Sequence, residues 1–112
     1  GEAMRDDERQ ALSLLAFVLL QNGRPEKAAA LMDALDAVLP AHPPTLKTLA
    51  VAQLRSGQAT HALQTLDRLE LLGESEPLLD LLRAQALAAA GQRSEAEAAM
   101  ANFLRQRQEM TP

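Results

Sequence analysis

Three glycines, Gly23, Gly57 and Gly91, stand 34 residues apart. Each lies in a matching stretch: QNGRPEKAAALM, RSGQATHALQTL and AAGQRSEAEAAM. Ala28, Ala62 and Ala96 follow the glycine by five residues, Met32, Leu66 and Met100 by nine, and Leu35, Leu69 and Phe103 by twelve. A fixed period of this length restricts the chain to a stack of identical supersecondary units, because one unit cannot bury its own apolar face. The offsets of five, nine and twelve share one helix face. Glycine suits the end of the preceding helix, where the chain must enter the left-handed conformation that other residues resist. The small alanine at plus five lets the next helix approach closely. Asn22-Gly23 alone would suggest a β-hairpin, but the helical period on both sides overrules it.

This reading predicts six helices, at about 6–22, 25–38, 44–56, 59–72, 76–90 and 93–108. Pro25, Pro44 and Pro77 fall at or near helix starts, where a missing N–H costs nothing. Ser94 with Glu97 has the pattern of a capping box for the last helix. Pro40 to Pro44 is expected to stiffen the joint between the first two units. Leu12, Leu15, Leu19, Leu46, Leu49 and Leu87 are assigned to the interior. In the third unit Asp80 and Arg83 fall where apolar residues are expected, which suggests a rotated or atypical helix. Residues 1–3 precede Met4 and read as a tag remnant. Residues 4–108 read as one domain with repeats at about 6–40, 44–74 and 76–108, and 109–112 as a flexible tail.

Composition supports an all-α chain. Its 112 residues include no Cys, and Phe17 and Phe103 are its only aromatic residues. A net charge of −4 offers no basic patch for nucleic acid. No apolar run spans a membrane, so a cytoplasmic location is expected. Catalytic and metal chemistry are not expected either. His42 and His61 lie in different repeats without a second ligand at metal spacing. Asp33 with Asp36, and Asp67 with Glu70, are carboxylate pairs at helical spacing, read as lining a solvated helix face rather than as an acid–base pair. The serines lack a partnered base and the single glycines cradle no phosphate. The chain is therefore read as a non-enzyme with no cofactor.

The period, the Gly/Ala pair and Pro40 after the first unit resemble the tetratricopeptide repeat, in three copies over nearly the whole chain. That resemblance implies three helix-turn-helix repeats in a short right-handed superhelix, whose first helices line a concave groove that holds a peptide. The family's groove positions correspond here to Phe17, Leu20 and Gln21 in repeat one and to Lys47, Val51, Leu54 and Arg55 in repeat two. In repeat three they correspond to Leu78, Leu81 and Gln85. Ser13 and Phe17 stand where chaperone-binding members carry Lys and Asn for a C-terminal carboxylate, so that role is not expected. Phe17, Leu20, Val51, Leu54, Leu78 and Leu81 would instead form an apolar strip rimmed by Lys47, Arg55 and Gln85, suited to an amphipathic helix. Met100 and Phe103 are expected to be poorly covered and open to a partner or a second copy.

Within that class, ERQALSLLAFVLLQNGRPEKAAALMDALDAVLPAHP and the short polar tail resemble the type III secretion chaperones of the YscY/PscY family. The resemblance implies a small secreted client of the YscX/PscX type, held through its helical C-terminal part. It also implies docking of the pair on the cytoplasmic domain of the export-gate protein. The chain is then expected as a heterodimer, or a homodimer when alone. A needle-subunit co-chaperone of the YscG/PscG type is a rival in the same class. A general scaffold with no export role is the alternative outside it.

Overall fold

A computed structural model describes residues 5–110 of the chain. Six helices run in order: α1 (Asp6–Gln21), α2 (Pro25–Val38), α3 (Pro43–Arg55), α4 (Ala59–Leu71), α5 (Pro77–Ala89) and α6 (Arg93–Met110). No strand occurs among the described residues. The expected tag remnant lies outside them. Helix α6 continues two residues past the expected 108, into the stretch assigned to the tail.

The recurrent glycines do the work expected of them. Gly23, Gly57 and Gly91 have φ of +70°, +79° and +82°. At each, the N–H of the next residue reaches the carbonyl five back: Arg24 to Leu19 at 2.8 Å, Gln58 to Gln53 at 2.8 Å and Gln92 to Leu87 at 2.9 Å. This is the Schellman closure of a helix C-terminus, and it reverses the chain while satisfying carbonyls the helix leaves open. Gly73 closes α4 in the same way, with the Glu74 N–H on the Leu69 carbonyl at 3.0 Å. Pro25, Pro43 and Pro77 open their helices. Ser94 does not cap α6, which begins one residue earlier at Arg93; Ser94 sits inside the first turn, and Glu97 instead accepts from Arg93 Nε at 3.4 Å. The joint between the first repeats ends differently, with Ala41 at φ +60°.

Helices α1, α3 and α5 each meet the next of their set, whereas the backbones of α2, α4 and α6 stay apart from one another. An array in contact on one side and splayed on the other curves toward the contacting side. The first helix of each repeat therefore lines the concave face. The core runs along the seam between layers and includes Ala16, Ala28, Met32, Leu35, Leu46, Leu49, Leu66 and Leu69. Ala28 and Ala62, five residues after their glycines, are sealed at 0% and 1% exposure.

Leu15 departs from expectation. It is 48% exposed, and the inward position of that turn is Ala16, at 0%. Leu15 stands eight residues before its glycine, like Leu49 and Arg83. Leu49 lines a cleft together with Ala29, Ala30 and Asp33 of α2, and Arg83 pairs with Asp67 and Glu70 of α4. That register faces the preceding repeat, and among the described residues nothing precedes α1. Nor is α5 rotated. Ala84 and Ala86 are buried like Ala50 and Ala52 at the same register, with Leu79 and Leu82 also inside. At Arg83 the contact has changed from apolar to ionic, and half-buried Asp80 stands at the register of buried Leu46.

Candidate functional site

The ten expected groove residues divide into a floor and a flank. Leu20, Val51 and Leu54 are half-buried and pack against the core cluster. They form the floor of the concave face, so a charge at Leu54 would disturb the fold as well as any contact there. Phe17 is 54% exposed and Leu78 48%. Leu81 is half-buried, and Gln21, Arg55 and Gln85 are exposed. Phe17, Val51 and Gln85 share one register on successive helices, which turns from aromatic to aliphatic to polar along the array. An exposed phenylalanine beside a partly buried aliphatic floor can take an apolar side chain and remove both surfaces from water.

Lys47 is not a free rim charge. Its Nζ lies 3.0 Å from Glu74 Oε1 and also pairs with Glu76. The hydrogen bonds it donates to Glu76 and Glu74 hold its pKa above the usual lysine value. Glu74, which stands where the first repeat has Pro40, thus ties the α4–α5 turn back to α3.

The paired carboxylates do more than line a solvated face. Asp36 Oδ2 accepts from Arg68 Nη1 at 2.8 Å and its Oδ1 from Arg68 Nη2 at 3.0 Å, while the same Oδ1 takes the Ala41 N–H at 3.2 Å. The Arg68 hydrogen bonds lower the Asp36 pKa against a smaller opposing effect of burial, helped by the Ala41 N–H. Asp67 and Glu70, the register equivalents of Asp33 and Asp36, accept from Arg83 at 2.9 and 3.4 Å. These carboxylates fasten one repeat to the next. His42 sits at the start of α3, where burial lowers its pKa. His61 is exposed, and its carbonyl lies 3.1 Å from the Thr65 hydroxyl. No group of three potential metal ligands occurs among the described residues, and no helix there is long and apolar enough to cross a membrane.

Two further surfaces lie at the ends of the array, one of them expected from the sequence and one not. Leu14, Leu15 and Val18 are exposed on the outer side of α1. At the opposite end an apolar cleft of about 500 Å³ lies between α5 and α6, lined by Ala84, Ala88, Ala96 and Met100 among others. The doubt over Met100 pointed toward the second. The first was readable only by asking what each register faces.

A family model described as Tetratricopeptide repeat matches residues 19–85, and a second of the same description matches residues 77–102. No curated protein matches the chain.

Proposed function

Because this chain belongs to the tetratricopeptide repeat family, a protein-interaction fold, we propose that its concave face binds an amphipathic helix of another protein. We propose further that it does so as a type III secretion chaperone of the YscY/PscY kind. In that reading it acts in the cytoplasm and shields the C-terminal helical part of a YscX/PscX-type client. It delivers that client to the cytoplasmic domain of the export gate. The observation that carries the groove reading is Phe17. It is 54% exposed on the concave side of α1, at the register where Val51 of α3 is drawn toward the core. The secretion role rests on the sequence resemblance alone.

The test is a calorimetric titration with the C-terminal helical segment of a YscX/PscX-type protein, paired with a thermal melt. Phe17→Asp should weaken binding by about 2–4 kcal/mol, the scale of a lost hot spot. Its melt should match the parent, since little is buried there. Unchanged binding by Phe17→Asp would remove the concave face from the client surface. Failure of the parent chain to bind the segment at all would remove the secretion role and leave the interaction-scaffold reading.

A further inference from the structure

Both ends of the array expose apolar residues at registers that its internal joints bury. On α1, Leu14, Leu15 and Val18 are 64%, 48% and 40% exposed. Their equivalents in α5 are Leu82, buried at 7%, Arg83, paired to α4, and Ala86, buried at 0%. At the other end Ala88 is exposed and Met100 half-buried in the open cleft, beside Ala84 and Ala96 at 3% and 9% exposure. The equivalents of Met100 are Met32 in repeat one, at 0% exposure, and Leu66 in repeat two, at 2%. The internal joints show what fills such a cleft: the first helix of another repeat, entering with its leading face.

The chemistry at the two ends matches. Across the joint of repeats two and three, Arg83 meets Asp67 and Glu70. Arg83 stands eight before its glycine, and its partners stand ten and thirteen after theirs. The same registers at the ends of the array hold Leu15 on α1, and Ala101 and Leu104 on α6. A cation and two carboxylates have become three apolar residues, on both sides of the joint together. Leu104 is 50% exposed. A joint of these residues would place leucine on alanine and leucine, beside Arg93 and Glu97, which also line the cleft.

We propose that copies of this chain stack head to tail, α1 of one copy seating on the α5–α6 cleft of the next and repeating the internal joint of the array. The contact is heterologous and does not close on itself, so it yields a ladder of species rather than one fixed dimer. It uses the ends of the solenoid and does not depend on the groove reading.

The experiment is sedimentation of the 112-residue chain alone over a wide concentration range. The weight-average mass should rise above 12.1 kDa without a plateau at twice that value. Leu15→Arg places an unpaired charge on the head, and the double variant Ala101→Asp/Leu104→Glu places two on the tail. Each should weaken association by about tenfold or more, the scale of a charge set in a desolvated contact. The melts should hold, because Leu15, Ala101 and Leu104 are exposed. An equimolar mixture of the two variants should associate again. Its joints alternate between the parent contact and one rebuilt in the image of Arg83 with Asp67 and Glu70. A chain monomeric at every concentration overturns the proposal. So does a closed dimer that Leu15→Arg breaks and the tail variant leaves intact, which would place α1 against α1. Failure of the mixture to recover overturns the assigned register.

Discussion

Asp36→Asn tests how the first two repeats are joined. The side chain is 13% exposed and receives two hydrogen bonds from Arg68 and one from the Ala41 N–H. Hydrogen bonds to a charged group are each worth about 1.5–3 kcal/mol when well buried. Arg68 is 43% exposed, and solvent screening brings exposed ion pairs down to about 0–1 kcal/mol. Asparagine keeps one oxygen acceptor but loses the charge, so the expected loss is about 1–2 kcal/mol at neutral pH. For a domain of this size that is a fall of about 5–10 °C in Tm. The folded-state pKa of Asp36 is depressed by Arg68. Its contribution is therefore fully present above the ordinary carboxylate value of about 4 and is lost as pH falls through the lower folded value. Melts of parent and variant should differ at pH 7 and converge in acid. Equal melting at pH 7, or a gap that persists in acid, would refute the reasoning. Ala41→Gly gives a check of opposite sign. Its φ of +60° strains an alanine, so glycine should stabilise by about 1 kcal/mol; destabilisation would mean that the joint is built otherwise.

Two further outcomes follow from backbone and burial. Gly57→Val should cost about 1–3 kcal/mol, all of it backbone strain, because φ is +79° and a Cβ there would meet nothing within 4 Å; an unchanged melt would place that turn in another conformation. Thr45 is 1% exposed and its hydroxyl has no hydrogen-bond partner among the described residues, so Thr45→Val should raise stability by about 1 kcal/mol in denaturant titration. A clear loss would reveal a partner for that hydroxyl.

The helices were legible because their ends are set locally. Gly23, Gly57 and Gly91 close helices through φ, and Pro25 and Pro77 open them through a missing donor; neither signal needs a distant neighbour. The concave flank was legible in part, since register names the face on which Phe17 lies. Burial along that face depends on the adjoining repeat, and this is why Leu54 lies partly in the core. Leu15 was misassigned for the same reason. Its own helix pattern is that of Leu49, and only the absence of a described preceding repeat separates them. The ion pairs were hidden for another reason. Asp36 and Arg68 are 32 residues apart, and helical spacing within α2 says nothing about a partner on α4.

The splaying of α2, α4 and α6 has a mechanical consequence. Where backbones touch, as along α1, α3 and α5, stiffness comes from close packing; along the outer edge it comes from whatever side chains can span the gap. Arg68 ties α2 to α4. The corresponding residue of α6 is Asn102, too short and uncharged for the same task, and Glu70 already turns toward Arg83 on α5. The first joint is thus laced across its outer edge, while among the described residues the ties of the second run between adjacent helices, from Arg83 to Asp67 and Glu70. Added salt, which screens exposed charges, loosens both joints and the second more, since Asp67 and Glu70 are 62% and 76% exposed against 13% for Asp36.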